Sequence, residues 1–251
     1  MKHFIQNSIW LWFSPEPCSC EKAQNKHKEI NEQRERERQQ EEEQERRLKL
    51  QRKVSRLFEQ SKLGERFKTR TFENYRTTEK NGQAYKTAKK YSDNFEQYKK
   101  EGIGLIFSGT YGTGKTHLAA AIAIDLINRG IPVIFGTAIN LLSKVRQSYS
   151  SYDNENEEDI LQLYKTVDLL VIDDLGKEKP SEWVLEKLYS ILNERYENFK
   201  PVIITTNYGT ESLINRLTLP GNAETAEAII SRLHEMCRGV LLEGEDYRKA
   251  L

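Results

Sequence analysis

Eight consecutive residues, Gly109-Thr110-Tyr111-Gly112-Thr113-Gly114-Lys115-Thr116, carry the spacing GxxxxGK[ST]. That spacing suits phosphate. Gly109, Gly112 and Gly114 let the backbone curl without Cβ clashes, so that successive N–H groups converge on an anion. Lys115 has the reach to meet the β- and γ-phosphates of a nucleotide, and the Thr116 hydroxyl is a ligand for magnesium. The loop lies between an apolar run, Ile103–Phe107, and a helix-forming run that His117 opens. A helix N-terminus adds its own amides and dipole, so His117 belongs with the nucleotide-binding set.

Further along, Leu169-Leu170-Val171-Ile172 ends in Asp173-Asp174. Behind a phosphate loop, this pattern gives Asp173 to the magnesium ion, directly or through water. Asp174 then orients and polarises an attacking water. Taken alone, the same stretch is a buried strand followed by a turn. Val202-Ile203-Ile204-Thr205-Thr206-Asn207 has a similar form. A neutral polar group near the γ-phosphate positions water, and Asn207 suits that role. A strand-ending Asn in a turn is the plainer alternative. Arg232, in Ile229-Ile230-Ser231-Arg232-Leu233, and Arg248, in Gly244-Glu245-Asp246-Tyr247-Arg248, are permanently charged forks for phosphate oxygens. Such a group neutralises transition-state charge from the same subunit or a neighbour. The expected catalytic set is Lys115, Asp174, Asn207, Arg232 and Arg248, with Thr116 and Asp173 on magnesium. No Asn-Lys-x-Asp guanine signature occurs in the sequence, so ATP rather than GTP is the expected nucleotide.

These groups are far apart in the chain and need a scaffold that gathers them. From Ile103 onward, strand and helix patterns alternate. The sequence predicts strands at Ile103–Ser108, Pro132–Gly136, Val167–Ile172 and Pro201–Thr205. It predicts helices at His117–Arg129, Ala138–Ser148, Ile160–Thr166 and Glu182–Tyr196, with a polar, acidic loop over Ser148–Asp159. Strands apolar on both faces, alternating with helices, give an α/β fold with a parallel sheet covered by helices. Upstream, Ala84, Ala88, Tyr91, Phe95 and Tyr98 recur at helical spacing and predict one amphipathic helix over Ala84–Tyr98. That stripe is read as core rather than as a platform for stacked bases.

The N-terminal quarter differs in kind. Glu21–Arg56 is dominated by Glu, Gln, Lys and Arg, and lacks the sustained apolar positions of a coiled coil. It reads as a solvated helix supported by pairs such as Glu32–Arg36 and Glu42–Arg46, either a linker or a partner-binding arm. Cys18 and Cys20 follow Pro17. They are either half of a zinc site, which normally takes four ligands, or two incidental thiols. The domain division expected is 1–60, a charged helical arm, and 61–251, the nucleotide domain. The 251 residues are 31% charged and 37% hydrophobic, with a formal net charge of +1, so whole-chain charge makes no case for nucleic acid. Three cysteines form no disulfide framework, which points to a reducing cytoplasm. Ile9–Phe13 is too short to span a bilayer, which takes about 20 residues.

Together the motifs resemble the DnaC/DnaI-type helicase loaders and the closely similar IstB-type transposition ATPases of the AAA+ superfamily. The resemblance rests on Phe107–Leu118, Val167–Gly176, Ser181–Tyr196, Thr205-Thr206-Asn207 and Ser231–Arg248, with a lead-in at Arg66–Tyr75. It implies an AAA+ core, ATP and magnesium, slow hydrolysis, self-association on ATP binding and contact with single-stranded DNA. It also implies a grip on the replicative helicase through the N-terminal region. By position, Asn207 is the sensor-1 residue, Arg232 the arginine finger acting across a subunit boundary, and Arg248 the sensor-2 residue. Pro17-Cys18-Ser19-Cys20 resembles the second half of the four-cysteine zinc module that some relatives carry. Only three residues follow Arg248, so no helical lid is expected. Two other readings stand beside the loader. One is an IstB-like helper of a transposase; the other is a nucleotide-gated adaptor that scarcely hydrolyses ATP.

Overall fold

Side chains alternate across a strand, and in Leu169–Ile172 both sets are buried. Leu169 and Val171 join one apolar cluster, and Leu170 and Ile172 join another. A strand buried on both faces needs a layer on each side. The computed structural model provides it, describing residues 2–5, 9–12, 21–60, 67, 69–148, 156–220 and 223–247. The chain divides into two compact units, Met1–Lys49 and Leu50–Leu251.

In the first unit, β1 (Lys2–Ile5) pairs antiparallel with β2 (Ile9–Trp12). This hairpin lies in a segment whose sequence reads as short and Pro-punctuated, with no strand expected. Helix α1 (Glu21–Gln60) begins in this unit. Among its described side chains the i,i+3 and i,i+4 ion pairs are Glu35–Arg38, Arg38–Glu42 and Glu45–Lys49. The expected Glu32–Arg36 pair is not among them, and the Arg46 side chain of the other expected pair lies outside the described residues.

The second unit is a three-layer α/β domain. Its elements are α2 (Gly82–Asp93), α3 (Phe95–Glu101), β3 (Gly104–Gly109), α4 (Lys115–Asn128), β4 (Val133–Thr137), α5 (Ala138–Gln147), α6 (Glu157–Thr166), β5 (Leu169–Asp173), α7 (Glu182–Glu197), β6 (Val202–Thr206), α8 (Thr210–Leu217), α9 (Glu224–Met236) and β7 (Cys237–Leu242). The sheet order is β4-β5-β6-β3-β7 and every pair is parallel. On one face, α2, α3 and α4 pack Ala88, Tyr91, Phe95, Leu118 and Ile122 against Phe107, Val171 and Ile203. On the other, helices α5 to α9 cover Ile134, Leu170, Ile172 and Ile204.

The expected single helix over Ala84–Tyr98 is two. Asn94 leaves the helical region (φ −109°, ψ 26°) and separates α2 from α3, while its side-chain amide donates to Lys90 O at 2.9 Å. The apolar stripe survives the break because Tyr91 and Phe95 still meet, ring centroids 5.9 Å apart. Strand β7 and helices α8 and α9 add to the elements read from periodicity.

Candidate functional site

Parallel strands end together, and the order β5-β6-β3 brings three chain segments to one sheet edge. The phosphate loop leaves β3, Asp173-Asp174 closes β5, and Thr205-Thr206-Asn207 closes β6. The register sets Ser108 beside Thr206 and Ile172 beside Ile204. Strand β6 therefore lies between the loop and the paired carboxylates.

The loop has the form that its glycines imply. Gly112 and Gly114 take φ of 76° and 96°, which L side chains rarely adopt. A Cβ on Gly114 would also press on the Tyr75 ring, 2.9 Å away. Gly114 caps α4, and the first amide bonded within the helix is that of Leu118, to Gly114 O at 3.0 Å. The amides of Lys115, Thr116 and His117 precede it and have no acceptor within the helix, an arrangement that favours an anion. Lys115 is buried, with its Nζ donating to Gly109 O at 2.9 Å and Thr110 O at 2.6 Å. A buried ammonium on two carbonyls of a glycine-rich loop fits a phosphate group.

Asp173 is the hub of the site. Its Oδ1 accepts from Thr116 Oγ1 at 2.8 Å and from Thr205 Oγ1 at 2.6 Å. Burial pushes this carboxyl up to about 6, against the pull of the Thr205 and Thr116 hydroxyls and with the push of Asp174. A carboxylate held at such cost beside a hydroxyl fits a divalent cation, which replaces a proton there. Thr205 also accepts from the Asp174 amide at 2.9 Å. Asp174 sits in the left-handed region at φ 59°, which Asp tolerates better than most residues. Its Oδ2 meets Lys177 Nζ at 2.7 Å.

Asn207 Nδ2 is buried and has no hydrogen-bond partner. An unmet buried amide costs about 1–3 kcal/mol, and a site that receives a ligand oxygen accounts for it. His117 turns away from the loop. Its Nε2 meets Thr71 O at 2.8 Å, its Nδ1 faces Arg70 at 3.3 Å, and burial lowers its pKa. The carbonyl acceptor makes Nε2 the protonated nitrogen, so what His117 offers a phosphate is its backbone amide. The ring instead ties α4 to the lead-in segment, with Tyr75 edge-on at 5.0 Å.

Arg232, on α9, is held against α7. Its Nε donates to Asn193 Oδ1 at 2.7 Å and its guanidinium to Tyr189 OH at 3.0 Å, with the Tyr189 ring 4.8 Å beneath. It makes no hydrogen bond to the loop, Asp173 or Asn207. Arg248, Cys18 and Cys20 lie outside the described residues. The chain just before Arg248 crosses the phosphate loop: the Tyr247 amide donates to Gly112 O at 3.3 Å, and Tyr247 OH accepts from buried Asn81 at 3.0 Å. Among the described residues no cluster of His, Cys, Asp and Glu has the makings of a further metal site. No helix there is long and apolar enough to cross a membrane.

Thr205 and Lys177 are contacts that the motifs did not single out. A strand threonine two residues before the expected sensor carries a polar group toward Asp173, and that alternation was the available signal for Thr205. Lys177, three residues past Asp174, had the spacing of a turn contact.

Comparison with known proteins agrees with this geometry. A family model described as IstB-like ATP binding protein matches residues 22–251. The phage-like element PBSX protein XkdC of Bacillus subtilis is 32% identical over 211 residues, covering 78% of this chain and 73% of that protein. The replicative helicase loader DnaC of Escherichia coli K12 is 33% identical over 167 residues, 66% of either chain. The match thus spans about two thirds of the DnaC length. A crystal structure of the DnaC helicase loader superimposes with a TM-score of 0.61 at 28% identity, covering 72% of this chain and all of that one. A phosphate loop, a buried carboxylate with a second beside it and an orphaned asparagine on this AAA+ sheet, matched across most of the sequence, place the chain in the family of IstB-like ATP binding proteins.

Proposed function

We propose that this protein is an ATP-hydrolysing loader that delivers a replicative helicase to single-stranded DNA. The observation that carries the reading is the likeness to DnaC in both sequence and structure, over a site with its polar groups in working positions. Lys115 and the amides of residues 110–117 hold the phosphates. Thr116 and Asp173 hold magnesium, which supplies charge neutralisation at the phosphates when bound. Asn207 holds a water in line. Asp174 accepts that water's proton as its oxygen bonds to the γ-phosphorus and the bond from that phosphorus to the bridging oxygen breaks, releasing ADP and phosphate. Arg232, preorganised by Asn193 and Tyr189, reaches a neighbouring subunit's nucleotide, so hydrolysis depends on self-association. Arg248 acts as sensor 2 from the segment that Tyr247 anchors.

In this reading, residues 1–60 form the arm that grips the helicase and 61–251 form the ATPase domain, working in the cytoplasm. Cys18 and Cys20 are left with a zinc-module remnant as their role. The test is capture of partners from the native host by the tagged full chain, with and without ATP·Mg. Recovery of the replicative helicase supports the loader. Recovery of a transposase supports the alternative, an IstB-like helper of a transposase, and removes the loader reading.

A further inference from the structure

Lys177 has no part in the motifs, yet its ammonium sits 2.7 Å from Asp174 Oδ2. The same nitrogen lies 5.5 Å from the ring centroid of Tyr111, which is half-exposed within the phosphate loop. Tyr111 in turn neighbours Tyr208, the residue after Asn207, and raises its pKa, and Arg216 lies 4.5 Å over the Tyr208 ring. Lys177 thus touches the loop and the second carboxylate at once, in a cluster spanning all three segments of the site. Asp174 is fixed from its other side by the bond from its amide to Thr205.

We propose that Lys177 is a positioning residue that latches Asp174 and keeps basal hydrolysis low. The proposal rests on the ATPase reading above. An ammonium 2.7 Å from Asp174 Oδ2 occupies that oxygen and keeps it from receiving a proton from an attacking water. The pair is about one-third exposed on both sides (34% and 28%), so water screens it and the latch is weak enough to open. An exposed pair of that strength corresponds to roughly a two- to fivefold effect on rate. Opening leaves Asp174 as the proton acceptor.

The experiment is steady-state phosphate release by the full chain, with ATP affinity and the unfolding midpoint measured in parallel. Lys177→Met should raise kcat roughly two- to fivefold and leave KM for ATP and the midpoint unchanged. Lys177→Arg, which keeps the charge, should retain the wild-type rate. Asp174→Asn should abolish the rise when combined with Lys177→Met. A Lys177→Met protein that binds ATP normally and turns over at or below the wild-type rate, zero included, overturns the latch alone. An Arg variant as fast as the Met variant overturns it too. Failure of wild type to bind ATP overturns the underlying nucleotide reading and the latch with it.

Discussion

Lys115 and Arg195 are both buried cations of the same domain, 5% and 0% exposed, and both rest on backbone carbonyls. Their partners differ. Lys115 uses Gly109 O and Thr110 O, six and five residues upstream in a loop of glycines. Arg195, on α7, collects Tyr164 O at 2.8 Å, Lys165 O at 3.3 Å, Val167 O at 3.0 Å and Pro201 O at 2.5 Å. It therefore stitches the end of α6 and the entry to β5 to the entry of β6. Burial pushes its guanidinium down to about 9, which still leaves it charged at neutral pH. A buried charge alone does not mark a functional site. A cation on local, replaceable carbonyls stands ready to exchange them for a ligand, whereas one that gathers carbonyls from distant segments holds the fold.

The comparison breaks most sharply at Arg195. Arg195→Met leaves four carbonyls without their donor and should cost about 3–5 kcal/mol, read as a large fall in the denaturation midpoint. A Met variant as stable as wild type would remove Arg195 from its structural role. Asn207→Ala should behave in the opposite way, because its amide has no partner to lose. Stability should hold while kcat for ATP falls about 100-fold, the scale for losing a placed polar donor at the reacting centre. An unchanged kcat would return Asn207 to an ordinary turn residue. Thr205→Val lies between the two. It removes a hydroxyl from Asp173 and an acceptor from the Asp174 amide, so a loss of about 1–2 kcal/mol should accompany weaker magnesium-dependent ATP binding. Loss of stability without any change in that binding would make Thr205 a packing residue only.

The same contrast explains what could be read from the chain. Lys115, Thr116, Asp173 and Asn207 stand in short motifs next to apolar strands, and the parallel sheet makes their gathering a consequence of strand order. The long apolar runs of β5 and β6 declared strands buried on both faces. Strand β7 did not, because Arg238, Gly239 and Leu241 on its exposed positions interrupt the apolar pattern of Cys237, Val240 and Leu242. The break between α2 and α3 was hidden because Asn94 stops a helix without disturbing the spacing of Tyr91 and Phe95. Arg195 reads in sequence as one more polar residue of an amphipathic helix, since its carbonyl partners lie 28 to 31 residues upstream and 6 downstream. Lys177 was invisible for the converse reason. Its partner is three residues away, but its meaning depends on the loop that folds over it.

The most direct test is thermal unfolding of wild type, Lys115→Met and Arg195→Met, each with and without ATP·Mg. A ligand that binds only the folded state raises its midpoint, by about 2.7 kcal/mol of stability at 100 times Kd. The account expects wild type to gain that increment. Lys115→Met should match wild type without ligand and gain nothing from ATP·Mg, while Arg195→Met should start far lower. A Lys115→Met protein that ATP·Mg stabilises as much as wild type would contradict the assignment of the nucleotide site.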